Sequence, residues 1–175
     1  EKINGKYVVL HSINPEILVD YIDDLNFKEG EFIYSKYGGA KAPKYRWDNW
    51  IRGAGPPPIK TDDGWLLFYH AMDTRDPGRY KVGVLLLDLN DPTKVLHRAN
   101  SPILEPDKWY ENDGFKAGVV YAIGTAIIDD TLFLYYGGAD NYICVAHVNL
   151  QDFLDVLKRD KKKSMIIDIF KRKDK

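Results

Sequence analysis

The sequence holds a single cysteine, Cys144, among its 175 residues. One thiol excludes an internal disulfide and any zinc site built on paired cysteines. In the apolar run Tyr142-Ile143-Cys144-Val145-Ala146 it reads as a buried, inert side chain. An excess of one charge is also lacking. Lys and Arg number 25 against 26 Asp and Glu, a formal net charge of −1, which argues against nucleic acid as a partner. No run approaches the roughly 18 consecutive apolar residues of a membrane helix, so no membrane partner is expected. The four histidines, at 11, 70, 97 and 147, have no paired ligand spacing, and no metal site is expected. There is no GxGxxG and no GxxxxGKS/T, and Gly53-Ala54-Gly55 runs into prolines without the helix start that a phosphate-binding loop requires. No methionine or leader opens the chain, so the true N-terminus is expected upstream. The compartment stays open between the periplasm and the cytoplasm of a bacterium.

Aromatic side chains are plentiful, with 12 Tyr, 7 Phe and 4 Trp. They suit strand cores, and they equally suit a cleft in which flat rings stack on sugar faces. Three segments share one pattern: a turn, an apolar strand, a polar tip and a second strand ending in Leu. They are Gly5 to Ser12 with Ile17 to Leu25, Asp63 to His70 with Lys81 to Leu89, and Asp130 to Gly137 with Tyr142 to Leu150. Tyr7 to Leu25 and Leu132 to Leu150 each span 18 positions, while Trp65 to Leu89 spans 24. The excess is read as a loop inserted at 74–79. A hairpin recurring every 60-odd residues is the unit of a propeller blade of four strands, which buries its faces only against neighbouring blades. The expected fold is an all-β propeller, with a β-sandwich as the alternative. Leu150, Phe153, Leu154 and Leu157 share one helical face, with Lys158 and Arg159 near its C-terminal end. Residues 1–157 are expected to form a partial propeller, and 158–175 a basic, solvated tail.

Blade alignment brings Ser12, His70 and Gly137 to equivalent tips, followed three residues later by Pro15, Asp73 and Asp140. One end of the propeller axis thus collects a hydroxyl, an imidazole and two carboxylates. A glycosidase needs a proton donor to the leaving oxygen and a second group on the opposite face of the sugar. That second group is a carboxylate when water attacks, and is replaced by cations and hydroxyls when phosphate attacks. Asp48, in Arg46-Trp47-Asp48-Asn49-Trp50, and Glu111, in Trp109-Tyr110-Glu111-Asn112-Asp113, stand among aromatics as sugar-binding carboxylates do. Capping a turn is the competing reading of both, and a satisfied core position is that of His70.

From Gly53-Ala54-Gly55-Pro56-Pro57-Pro58-Ile59-Lys60-Thr61 through Gly64-Trp65-Leu66-Leu67-Phe68-Tyr69-His70, the sequence resembles glycoside hydrolase family 130. The likeness continues in the strand Tyr80 to Leu89, in Pro102-Ile103-Leu104-Glu105-Pro106 and in Tyr135-Tyr136-Gly137-Gly138-Ala139-Asp140. This resemblance implies a five-bladed propeller acting on β-mannosides, of which the chain supplies about three blades and a closing helix. It implies phosphate-pocket positions for His70 and Tyr80 and a mannosyl-holding acid at Asp140. The general-acid aspartate is expected in the N-terminal half of the propeller, preceding Glu1. Asp73, Trp47, Arg52 and Lys60 complete the expected substrate-binding set. Ser12 and Ile51 stand where the family's phosphorylases carry cations, and a phosphate dianion needs several charge-assisted contacts. Hydrolysis of β-mannosidic linkages with inversion is therefore expected, with Glu111 first and Asp48 second as the base. The alternatives are an inverting phosphorylase releasing mannose 1-phosphate, with Arg52 and Lys60 or Lys81 supplying charge, and a non-catalytic carbohydrate-binding propeller. No cofactor is expected, inorganic phosphate serving as co-substrate only in the phosphorylase. The partner is a β-mannoside oligosaccharide, and a homo-oligomer is left open.

Overall fold

The computed structural model describes residues 1–11, 16–33, 37–159 and 171–172. Ser12 and Pro15, two of the aligned tip positions, lie outside the described residues. The chain forms three antiparallel sheets in sequence order. The first joins β1 (Tyr7–His11), β2 (Glu16–Ile22) and β3 (Tyr37–Lys41). The second holds β4 (Trp50–Ala54), β5 (Ile59–Thr61), β6 (Gly64–Asp73), β7 (Asp76–Leu87) and β8 (Val95–Arg98), in the order β4-β6-β7-β8 with β5 also on β6. The short helix α1 (Trp109–Asn112) leads into the third sheet, made of β9 (Val120–Ile128), β10 (Thr131–Gly138), β11 (Tyr142–Asn149) and β12 (Lys171–Arg172). Helix α2 (Leu150–Arg159) follows β11 directly. The three repeated hairpins of the sequence are β1–β2, β6–β7 and β10–β11. The architecture is all-β and propeller-like.

Burial explains why the central hairpin reads as almost continuous apolar sequence. Along β6 the side chains alternate between two cores, as the period of two in a strand dictates. Leu66 and Phe68 join Val84, Leu86, Leu132, Leu134 and Tyr136 in the core shared with the third sheet. Leu67, Tyr69 and Ala71 join Ile17, Ile51 and Leu85 in the core shared with the first. A sheet covered on both faces has no polar side to present. The helical face closes over the first of these cores: Phe153, Leu154 and Leu157 of α2 are buried, and Phe153 stacks on Phe68 with ring centroids 6.2 Å apart.

Two expectations fail in detail. Residues 76–79 are strand rather than loop, because Asp73 pairs with Asp76 and the extra length extends both arms of the β6–β7 hairpin. The basic tail does not begin at 158: Lys158 is in α2 and donates to Asp63 at 2.7 Å, while Lys171–Arg172 adds a short strand to β11.

Candidate active site

The end of β6, the start of β9 and the end of β10 meet at one end of the stacked sheets, and a bulge delivers the first functional side chain there. On β4, Ile51 pairs with Ala71 and Gly53 with His70, which leaves Arg52 as the extra residue. An extra residue bends its strand and re-aims its side chain. Arg52 donates through Nε to the Tyr80 hydroxyl at 3.3 Å. From the other side, the Lys116 ammonium sits 4.8 Å from the centroid of the Tyr80 ring, an electrostatically favourable position over the π face. Tyr80, Lys116, Val119, Tyr121 and Asp140 together line a pocket of about 220 Å³. Among the described residues, neither Arg52 nor Lys116 has a carboxylate partner within ion-pair distance.

Asp140 reaches the pocket by way of a turn. Ala139 and Asp140 both have left-handed backbones, φ 51° and 52°, and Asn141 N–H donates to Gly138 C=O at 3.0 Å. Two consecutive left-handed residues match the twist of a hairpin, and here they leave Asp140 exposed at its tip. Lys116 N–H donates to Ala139 C=O and Ala139 N–H to Val119 C=O, both at 2.9 Å, so the loop bearing Lys116 and the hairpin bearing Asp140 are sewn together.

His70 stands behind this surface. It is buried, stacks on Tyr121 with centroids 3.7 Å apart and planes at 13°, and lies 3.0 Å through Nε2 from Ala122 C=O. That carbonyl can only accept, so Nε2 carries the proton and Nδ1 is the bare nitrogen. Nδ1 is buried without a hydrogen-bond partner among the described residues. Burial pushes the imidazole down to about 4, so it is neutral near pH 7.

Both carboxylates expected as bases are withdrawn from the surface. Glu111 is 0% exposed; Oε1 accepts from the Tyr136 hydroxyl at 2.8 Å and Oε2 from the backbone N–H groups of Asp107 and Lys108 at 2.9 Å each. Burial and the adjacent carboxylate push the Tyr136 phenol far above its ordinary range. Asp48 is likewise 0% exposed and accepts from Tyr69 at 2.6 Å, Arg98 at 2.9 Å and Arg46 at 3.2 Å. Burial, with Asp48 beside it, raises the Tyr69 phenol as well. With no exposed surface, neither carboxylate lines the pocket or presents an oxygen to a water there, which sets both apart from the role of base expected of them.

The remaining candidates divide. Asp73 braces the β6–β7 turn by accepting from Arg75 and Asn49, and the Arg75 hydrogen bonds hold its carboxyl well below the usual range. Trp47 packs on the buried Tyr69, ring centroids 6.2 Å apart, and belongs to the core between the first two sheets. Lys60 faces Trp65 near the start of β6, the end opposite His70, where it pairs with Glu1. Lys81 is taken by Glu105 at 3.3 Å. Lys116 and Tyr121 went unmarked in the sequence. Strand alternation carries a signal for Tyr121, which falls between the buried Val120 and Ala122 and is 40% exposed. Lys116 has no such signal, because it lies in a loop.

The fold agrees with what comparison finds. A family model described as beta-1,4-mannooligosaccharide phosphorylase matches residues 1–159. The chain is 46% identical over 153 residues to a 1,2-beta-oligomannan phosphorylase of Thermoanaerobacter sp. (strain X514), covering 87% of this chain and 49% of that protein. It is 40% identical over 169 residues to a beta-1,2-mannobiose phosphorylase of Listeria innocua, covering 93% and 45%. The solved structure of a Listeria innocua beta-1,2-mannobiose phosphorylase, in complex with beta-1,2-mannobiose, superposes with a TM-score of 0.74 at 38% identity, over 91% of this chain and 45% of that one. The chain therefore spans about half the length of the curated relatives it matches. With a family model matched along nearly its whole described length and propeller sheets in the expected order, the chain belongs to glycoside hydrolase family 130.

Proposed function

We propose that the complete protein cleaves β-mannosidic linkages by inverting phosphorolysis, releasing mannose 1-phosphate. The observation that carries this reading is the convergence of Arg52 and Lys116 on Tyr80. Two cations without carboxylate partners among the described residues and a phenolic hydroxyl form a donor set for a phosphate dianion, since charge-assisted contacts are the strong ones. The hydrolytic expectation rested on a free carboxylate and a shortage of positive charge. Glu111 and Asp48 are buried and engaged, and Lys116 supplies a cation from a loop that the strand pattern does not mark. The relatives at 46%, 44% and 40% identity are named phosphorylases of β-1,2-linked mannosides, which supports phosphorolysis and a β-1,2 preference.

In this reading Asp140 holds mannosyl hydroxyls beside the Arg52–Tyr80–Lys116 cluster. A phosphate oxygen attacks the anomeric carbon on the face opposite the leaving oxygen. The bond from that carbon to the glycosidic oxygen breaks, the configuration inverts, and the leaving oxygen takes a proton from an acid. The deciding experiment is product analysis of the complete protein on β-1,2-mannobiose with and without phosphate. Mannose 1-phosphate formed only when phosphate is present is the expected result. Free mannose at a rate indifferent to phosphate returns the assignment to hydrolysis.

A further inference from the structure

Glu111 does not line the pocket, yet its bonds reach both pieces of the pocket wall. Its carboxylate gathers the start of α1 through Asp107 N–H and Lys108 N–H, and β10 through the Tyr136 hydroxyl. Its own carbonyl accepts from Gly118 N–H at 3.0 Å and Val119 N–H at 3.3 Å, at the far end of the loop that carries Lys116. That loop is pressed onto the Asp140 hairpin: a Cβ at Gly114 would lie 2.6 Å from the Ala139 carbonyl oxygen. The Glu111 side chain thus ties the start of this segment to the strand whose end turns through Ala139 and Asp140, and its backbone carbonyl holds the far end of the Lys116 loop.

We infer that Glu111 is a positioning residue that holds Lys116 and Asp140 as one wall of the pocket, acting through the 106–118 loop and β10 rather than by proton transfer. This rests on reading the pocket as the substrate site. Glutamine is the discriminating substitution. Its carbonyl oxygen can accept from the two backbone N–H groups and its amide can donate to the Tyr136 oxygen, so these three contacts are kept while the capacity to take a proton is lost. Alanine removes all three contacts and leaves buried donors unpaired.

The test is steady-state kinetics of the complete protein carrying Glu111→Gln, Glu111→Ala or Tyr136→Phe, with KM and kcat resolved for β-1,2-mannobiose and for inorganic phosphate. Glu111→Gln should stay within about three-fold of wild type, and Glu111→Ala should raise both KM values roughly ten-fold with a smaller change in kcat. Tyr136→Phe should move both KM values in the same direction by a few-fold. If Glu111→Ala does not fold, Tyr136→Phe decides by whether its mannoside KM rises. Loss of turnover in Glu111→Gln with mannoside binding intact would make Glu111 the base and overturn the inference. Unmoved KM values in the folded alanine and phenylalanine variants would overturn it too. The mannoside KM can be read with phosphate or water as acceptor. A hydrolytic wild type therefore defeats the phosphorolysis reading and leaves this inference to its own outcome.

Discussion

The imidazole of His70 lies nearly parallel to the phenol of Tyr121, across the junction of the second and third sheets, with centroids 3.7 Å apart. Nε2 is bonded to the third sheet as well, through Ala122 C=O. The ring must stay neutral to stay buried, and this sets a pH dependence. Burial lowers its pKa from 6.5 to about 4, so between those values the unfolded chain binds the extra proton. Stability from this residue is complete above pH 6.5 and is lost as pH falls toward 4, by about 3 kcal/mol in all. Urea melts of the complete protein at pH 7, 6 and 5 should show this slope. A His70→Gln variant, less stable at pH 7, should lack it. An equal slope in the variant would assign the dependence to other groups.

The second expected outcome concerns Asp48. It compensates Arg98, which also donates to Lys41 C=O and tethers β8 to the end of the first sheet. Removing one member of a buried ion pair leaves the other uncompensated, at a cost of about 3–5 kcal/mol. Asp48→Ala should lower the urea midpoint accordingly without changing the KM for phosphate. A catalytic Asp48 would show the reverse, with stability held and turnover lost.

Asp140→Ala should leave the melt near that of wild type, because the side chain is exposed at a hairpin tip. It should reduce kcat/KM by about ten- to a hundred-fold, the range for losing a hydrogen bond from a charged acceptor. Unchanged kinetics would remove Asp140 from the site.

Lys116→Met keeps the aliphatic stem and deletes the charge. Phosphate KM should rise about ten-fold while mannoside KM moves little, and Lys116→Arg should recover most of the loss. A rise confined to the mannoside would place Lys116 against the sugar instead.

The blades were legible in the sequence because their signal is local and repeated. Tyr7, Trp65 and Leu132 begin equivalent strands, and the leucines at 25, 89 and 150 close equivalent units. The same alignment marked the tip positions His70 and Asp140, while Tyr80 came only with the family resemblance; Asp140 and Tyr80 line one pocket, and His70 backs its wall through Tyr121. What misled was residue type read without burial. Glu111 and Asp48 stand among aromatics in the sequence, but Tyr136 and Tyr69 are there to donate to them in a core, not to stack on sugar. Lys60 was grouped with Arg52 as a source of positive charge, although β4 and β5 pair with opposite ends of β6. Ile51, where the resemblance leads one to expect a cation, is buried in the core between the first two sheets. In the proposed reading Lys116 supplies positive charge from a loop some sixty positions on, where no periodicity marks it.

Arg52 and Tyr80 belong to the second sheet, whereas Lys116 hangs from the connection that opens the third. An anion held among them is fastened to two blades at once, so its binding energy is also adhesion between blades. Any separation of these sheets must first release the ion, and the folded state gains by mass action whenever the ion is abundant. In the proposed reading phosphate would be a rivet as well as a reactant: the ion that attacks the sugar would also set how firmly this seam of the propeller stays shut.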